Sequence, residues 1–155
     1  MANILVVDDE LGIRDLLSEI LNDEGHHVDL AENAAEARAL RNASRPDLVL
    51  LDIWMPDTDG VTLLKEWAAG GQLDMPVIMM SGHATIDTAV EATRIGAQSF
   101  LEKPITLQKL LKAVDQALAR DVETLNYWAQ AQENGLDLDA VLHGLRTMGP
   151  EFKCV

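Results

Sequence analysis

Leu48-Val-Leu-Leu-Asp52 is the stretch that decides the fold, because four consecutive apolar residues run directly into a carboxylate. An apolar run of this length fits a strand of a parallel sheet, which helices cover on both faces. A carboxylate at the end of such a strand is costly to bury unless it has a partner. The segment therefore predicts a parallel α/β sheet with a chemically important carboxylate at the end of a central strand.

Strand-like runs also occur on both sides of this segment, and helical periodicity fills the intervals between them. The predicted strands are Ile4 to Val7, Val28 to Leu30, Leu48 to Leu51, Val77 to Met80 and Ser99 to Leu101. The predicted helices are Leu11 to Asp23, Asn33 (as cap) to Asn42, a third between Gly60 and Gly70, Ile86 to Ile95, and a fifth that Thr106 caps. This alternation predicts five βα units in three layers.

The length and the charge of the chain exclude several classes of protein. Its 155 residues suffice for one well-buried domain but not for two of ordinary size. The net charge of -14, without a basic patch, opposes nucleic acid binding by this segment. No apolar run approaches the roughly 18 residues of a membrane span, and the lone Cys154 cannot form an internal disulfide. We therefore expect a cytoplasmic protein that contacts neither nucleic acid nor membrane.

Polar side chains follow four of the predicted strands. Asp8 and Asp9 come after the first strand, Asp52 after the third, Ser81 after the fourth and Lys103 shortly after the fifth. Ligands of parallel α/β sheets bind beyond the carboxyl ends of the strands. Three converging carboxylates repel one another unless a hard cation such as Mg²⁺ binds them. The pattern predicts a site where Asp52 attacks a phosphorus whose oxygens are neutralised by Mg²⁺, Lys103 and Ser81.

All of these residues except Asp52 also have a simpler interpretation. Asp8 and Asp9 could cap the helix that begins near Leu11, since carboxylates favour helix N-termini. Lys103 could be an ordinary surface lysine and Ser81 a turn residue. Their joint placement at the strand ends favours the phosphoryl-transfer interpretation over these separate ones.

Four motifs, in this order, resemble the receiver domain of two-component response regulators. They are Ile4-Leu-Val-Val-Asp-Asp-Glu10, Leu50-Leu-Asp-Ile-Trp-Met-Pro56 with Asp59-Gly60, Met80-Ser-Gly-His-Ala84 and Phe100-Leu-Glu-Lys-Pro104. The resemblance implies a flavodoxin-like (βα)5 three-layer sandwich with a parallel five-stranded sheet of order 2-1-3-4-5. It also implies phosphorelay signal transduction, in which a sensor histidine kinase phosphorylates the domain and the domain regulates an output, such as transcription.

The resemblance assigns a role to each matching residue. It implies that Asp52 is the phosphoacceptor and, with Asp8 and Asp9, a magnesium ligand. It implies that Ser81 and Lys103 contact the phosphoryl group and take part in its transfer. Such a domain is a phosphoacceptor regulator rather than an enzyme acting on other molecules.

The same resemblance implies a metal ligand and a switch. The backbone carbonyl of Trp54 would bind Mg²⁺, although a packing role for this side chain is equally open. Phe100, where many relatives carry Tyr, would turn inward as the Ser81 hydroxyl moves toward the phosphoryl group. The family also suggests a cis peptide bond before Pro104.

Movement of Ser81 and Phe100 would reshape the surface formed by the fourth helix, fifth strand and fifth helix. We expect this surface to form a homodimer after phosphorylation, with opposite charges paired across a two-fold axis. The charges expected there are Asp87, Glu91, Arg94, Lys109 and Lys112.

The sequence from Ser81 to Ala97 is similar to that of receivers of the nitrogen-regulation type. Those receivers usually precede an ATPase module and a DNA-binding module, but this chain has no phosphate loop. We predict a receiver domain at 1–120 and a helical tail or linker at 121–155. The chain is then either a receiver with a linker toward an output domain or a stand-alone regulator, and both interpretations stay open.

Three other functions compete with this one. A haloacid-dehalogenase-like phosphatase needs a second carboxylate at position 54, which is Trp. A flavodoxin-type flavin binder needs a phosphate loop where this chain has Asp8, Asp9 and Glu10. A phosphorylation-independent interaction module would usually lack the acceptor or the lysine, so it ranks second to the phosphorylation switch.

Overall fold

Strands and helices alternate along the chain as the sequence predicts. The computed structural model describes residues 2–83 and 85–119, so the predicted tail at 121–155 lies outside the described residues. The strands are β1 (Asn3–Val7), β2 (His27–Ala31), β3 (Leu48–Asp52), β4 (Val77–Ser81) and β5 (Ser99–Glu102). The helices are α1 (Leu11–Asp23), α2 (Ala34–Ala43), α3 (Gly60–Ala69), α4 (Ile86–Ile95) and α5 (107–119).

The strands form one parallel sheet of order β2-β1-β3-β4-β5, which confirms the predicted topology. Each strand is longer than predicted by one residue, or by two in β2, and the extensions of β3 and β4 include site residues. Asp52 pairs with Met80, and Ser81 pairs with Glu102, so Asp52 and Ser81 are the last residues of β3 and β4. The ladder extends this far because the Ile53 amide donates to the Met80 carbonyl at 3.0 Å. Both side chains are therefore held by rigid strands.

Helices cover both faces of the sheet, and each face has its own apolar cluster. On one face, α2, α3 and α4 pack against alternate residues of the central strands, such as Leu5, Leu51 and Met79. On the other face, α1 and α5 pack against the intervening residues, such as Val6, Leu50 and Met80. This arrangement explains why β1, β3 and β4 are nearly continuous runs of apolar residues.

Side-chain caps fix where the helices begin. Asn33 accepts a hydrogen bond from the Glu36 amide at 2.8 Å, and Thr106 accepts one from the Lys109 amide at 3.3 Å, which confirms both predicted caps. Gly60 was expected to precede the third helix, but it is the first residue of α3. The helix begins there because Asp59 caps it.

Among the described residues, no helix combines the length and the apolar character needed to cross a membrane.

Candidate functional site

The predicted polar residues meet at the carboxyl edge of the sheet. Asp8 directly follows β1, Asp52 ends β3, Ser81 ends β4, and Lys103 directly follows β5. Asp8 and Ser81 are fully buried, and Asp52 is only 3% exposed. Buried charges need partners, so the contacts among these groups define the site.

Lys103 is the partner that joins the two buried carboxylates. Its Nζ atom lies 2.8 Å from Asp8 Oδ2, 3.4 Å from Asp52 Oδ1 and 3.8 Å from Glu10 Oε1. The Lys103 amide donates to the Ser81 carbonyl at 2.9 Å, which fixes the start of the side chain beside β4. The peptide bond between Lys103 and Pro104 is cis, as predicted. Lys103 is thus part of a buried ion-pair network rather than an ordinary surface lysine.

The turn between β1 and α1 holds Asp8 in place. Asp8 Oδ1 accepts a hydrogen bond from the Glu10 amide at 2.9 Å. The Asp8 carbonyl accepts one from Arg14 Nη1 at 2.6 Å. The N-cap residue of α1 is Glu10, whose side chain makes no capping hydrogen bond within the described part of the chain. The interpretation of Asp8 and Asp9 as helix caps is therefore wrong.

Burial and charge shift the pKa values of the central pair. Burial and the negative charge of Asp8 raise the pKa of Asp52 to about 7, although Lys103 opposes the shift. Burial alone lowers the pKa of Lys103, but its contacts with Asp8 and Asp52 outweigh burial and raise that pKa overall. The ammonium therefore stays charged at neutral pH, whereas proton binding by the Asp52 carboxyl changes near neutral pH.

The acidic residues of the β1–α1 turn have the arrangement of a hard-cation site. Carboxylate oxygens of Asp8, Asp9 and Glu10 lie within 4.8 Å of one another. Asp8 Oδ2 is fully buried and accepts no well-aligned hydrogen bond from the described residues, despite the nearby Lys103 ammonium. Oxygen ligands of this kind suit Mg²⁺. These residues therefore fit a divalent cation, with Asp52 on the neighbouring strand end.

Ser81, Trp54 and Phe100 occupy different environments around this centre. Ser81 Oγ accepts a hydrogen bond from the His83 amide at 3.0 Å. The Trp54 side chain is 54% exposed, which argues against a packing role. Phe100 is half-buried and packs against the cluster beneath α2, α3 and α4. Ser81 therefore belongs to the buried centre, whereas Trp54 and Phe100 lie outside the ion-pair network.

A profile described as the response regulator receiver domain matches residues 4–115 of the chain. The chain belongs to this family. Receiver domains are phosphoacceptor modules of two-component signalling, so the predicted family is confirmed.

Three similar proteins illustrate the relationship. The nitrogen assimilation regulatory protein NtrX of Azorhizobium caulinodans is 40% identical over 133 residues, which are 84% of this chain but only 28% of that protein. Sporulation initiation phosphotransferase F of Bacillus subtilis is 36% identical over 115 residues, which are 74% of this chain and 92% of that protein. The crystal structure of the receiver domain of NtrX from Brucella abortus is 47% identical, has a TM-score of 0.70, and covers 75% of this chain and 98% of that one.

The receiver also contains two residues at the site that the sequence analysis did not select. Glu10 adds a third carboxylate to the turn, and Arg14 binds the Asp8 carbonyl while its Nη2 atom lies 3.8 Å from Glu32. Helical periodicity could have identified Arg14, because this residue shares the buried face of α1 with Leu17 and Leu21. A charged residue on that face indicates a buried polar partner.

The raised pKa of Asp52 predicts how the stability of the receiver depends on pH. Between about pH 4 and 7 the unfolded chain has lost this proton and the folded chain retains it, so stability falls as pH rises. In metal-free buffer, we expect Asp52→Asn to be more stable than the wild type at pH 8, by up to about 4 kcal/mol. The difference should shrink toward pH 4.

Urea denaturation of both proteins across this pH range measures the effect. Asp15→Asn, which removes an exposed carboxylate of α1, is the control and should show no comparable gain. A pH-independent difference between Asp52→Asn and the wild type would contradict the assignment of the shift to Asp52.

Proposed function

We propose that this receiver is a phosphorylation-dependent switch that accepts a phosphoryl group on Asp52 from a sensor histidine kinase. The observation that carries the proposal is the contact of one buried ammonium, Lys103 Nζ, with both Asp8 and Asp52 at 2.8 and 3.4 Å. An ammonium fixed beside a carboxylate nucleophile is also positioned to neutralise the oxygens of an incoming phosphoryl group. This arrangement favours a phosphorylation switch over a phosphorylation-independent interaction module.

The proposed metal ligands are Asp8, Asp9, Asp52 and the Trp54 carbonyl. When bound, Mg²⁺ supplies positive charge that offsets the phosphoryl oxygens and the clustered carboxylates. Glu10, which belongs to the same acidic cluster, adds negative charge at the rim. The role of the protein is to hold these oxygens together before the donor arrives.

In the transfer step, an Asp52 carboxylate oxygen attacks the phosphorus of the phosphohistidine. The new phosphorus–oxygen bond forms as the phosphorus–nitrogen bond breaks, and the imidazole of the kinase leaves with the electron pair. Asp52 must be ionised to attack, and the Lys103 ammonium favours the ionised form. The products are an aspartyl phosphate and the dephosphorylated histidine.

We propose that Ser81 and Lys103 sense the phosphoryl group and that Phe100 transmits the change. The backbone bond from the Lys103 amide to the Ser81 carbonyl, 2.9 Å long, couples the ends of β4 and β5. A shift of either residue therefore reaches Phe100, which lies on β5. The bond supports a common response of both strands to phosphorylation.

Incubation with acetyl phosphate, followed by intact mass spectrometry, tests the proposed function. With Mg²⁺ present, we expect one phosphoryl group per chain. Excess chelator should reduce labelling strongly, because the clustered carboxylates then repel the anionic donor. Full labelling in chelator would contradict the metal requirement, and no labelling with Mg²⁺ would favour the phosphorylation-independent module.

We also propose that phosphorylation promotes homodimerisation through α4, β5 and α5. Ile86 is 84% exposed and Val90 is 49% exposed, so α4 offers apolar surface to a partner. Glu91 was expected to pair with a charge across the dimer. Its carboxylate instead lies 2.6 Å from the ammonium of Lys65 of α3 within the same chain, so it is removed from the expected pairing. Each exposed pair contributes only about 0 to 1 kcal/mol, so apolar packing has to supply most of the stability.

Sedimentation velocity with and without Mg²⁺ and beryllofluoride, a phosphoryl mimic, tests this dimer. We expect the mimic to increase the dimer fraction. A monomer at all concentrations would contradict the proposal, and an unchanged dimer would point to residues 121–155.

The wider context is proposed from the same assignment. We infer a cytoplasmic receiver over 1–120, with residues 121–155 as a tail or linker. Its partners would be the kinase and an output domain or effector that regulates transcription, consistent with the regulatory relatives.

A further inference from the structure

The loop between β3 and α3, residues 53–59, is fastened at both ends. At its start, the Ile53 amide donates to the Met80 carbonyl at 3.0 Å. The Ile53 carbonyl accepts from the Gly60 amide at 2.7 Å, which closes the loop at its base. Trp54 follows directly, and its carbonyl is a proposed metal ligand. The position of that carbonyl therefore depends on what holds the remainder of the loop.

Asp57 fastens the far side of this loop to another element. Its Oδ1 atom accepts from the Ala34 amide at 3.0 Å, and its Oδ2 atom accepts from the Ala35 amide, also at 3.0 Å. Both amides belong to the first turn of α2, where backbone donors lack partners within the helix. One carboxylate from a neighbouring loop thus satisfies two of these donors.

A second bond strengthens the same connection. Thr58 Oγ1 accepts a hydrogen bond from Arg38 Nη2 of α2 at 3.0 Å. Arg38 is itself held, because its Nε atom lies 2.8 Å from Glu66 Oε2 of α3. Two consecutive loop residues therefore bind α2, and their contacts lie three and four positions after Trp54.

We propose that Asp57 is a positioning residue for the metal site: it fastens the loop to α2 and thereby sets the position of the Trp54 carbonyl. This inference rests on the proposed function, because it assumes Mg²⁺ at the end of β3. Asp57 itself is not a metal ligand. It acts as an outer support, in the way that hydrogen-bonded partners orient the ligands of other metal sites.

Asp57→Ala tests the proposal, with Mg²⁺ affinity measured by calorimetry on the full chain. We expect Mg²⁺ binding to weaken about tenfold. Asp57→Asn should lose less, because its single carbonyl oxygen can still accept one of the two amides. Saturating Mg²⁺ should restore the rate of labelling by acetyl phosphate, since the acceptor Asp52 is untouched.

Asn33→Ala is the matched control. Asn33 also caps α2, through the Glu36 amide at 2.8 Å, but it precedes the helix and does not belong to the β3–α3 loop. We expect this variant to bind Mg²⁺ within about twofold of the wild type. Hydrogen exchange at the Ala34 and Ala35 amides directly reports their hydrogen bonds to Asp57. This exchange should accelerate in Asp57→Ala.

The possible results distinguish the positioning role of Asp57 from the proposed function. Equal loss of Mg²⁺ affinity in Asp57→Ala and Asn33→Ala would overturn the inference, since the effect would then come from the stability of α2. Unchanged affinity despite faster exchange at Ala34 and Ala35 would overturn it as well. A wild type that binds no Mg²⁺ would overturn the proposed metal site and, with it, this inference.

Discussion

Replacing Asp52 by Asn is expected to abolish phosphoryl labelling of the receiver by acetyl phosphate and Mg²⁺. The wild-type carboxylate attacks the phosphorus and acetate leaves, whereas the Asn carboxamide is a poor nucleophile at neutral pH. Asp52 is 3% exposed and lies 3.4 Å from Lys103, so its environment differs from that of any exposed carboxylate. Intact mass spectrometry should show no added phosphoryl group on the variant.

Asp15→Asn serves as the control because it makes the same chemical change at an exposed position of α1. It should be labelled to the same extent as the wild type. Circular dichroism should show that Asp52→Asn retains the fold. Undiminished labelling of this folded variant would remove Asp52 from its proposed role.

Replacing Gly60 by Ala should lower the free energy of unfolding of the receiver strongly. A Cβ atom at this position would overlap the backbone carbonyl oxygen of Asp52 and would lie only 3.0 Å from the Ile53 Cα atom. Backbone atoms of a buried strand end cannot move aside as a flexible side chain can. We expect a loss of about 3 kcal/mol or more in the free energy of unfolding, measured in urea.

Gly12→Ala provides the comparison, because a Cβ atom on Gly12 of α1 would meet no atom of residues 2–83 or 85–119 within 4 Å. Its stability should stay unchanged or rise by up to about 1 kcal/mol, since Ala favours helix more than Gly does. Similar losses in both variants would mean that close packing against β3 is not what requires glycine at position 60.

The sequence was sufficient to predict most of the fold. Apolar runs such as Leu48 to Leu51 indicated buried parallel strands, and the caps Asn33 and Thr106 indicated where helices begin. The strand order came from the family motifs rather than from periodicity. The predicted ends of β3 and β4 lie one residue before the observed ends. Apolar patterning stops before Asp52 and Ser81, whereas backbone pairing continues through both residues.

The candidate site was predicted less completely, for a physical reason. Residues at strand ends could be grouped because a parallel sheet brings those ends together. Asp57 and Glu91 act through side chains that reach other elements, and short-range patterns do not encode such contacts. For Arg14, helical periodicity indicates a buried polar partner but does not identify it. Arg14 binds the Asp8 carbonyl, Asp57 binds α2, and Glu91 binds Lys65. These contacts follow from the packed structure alone.

The division of the interior into two apolar clusters has an evolutionary consequence. The sheet separates the cluster beneath α2, α3 and α4 from the cluster beneath α1 and α5, and the two have no buried residue in common. Substitutions that share no contact have nearly additive effects on stability. Changes in the packing beneath α4 should therefore alter the stability of the domain almost independently of changes in the packing beneath α1, so the two halves of the interior can vary separately.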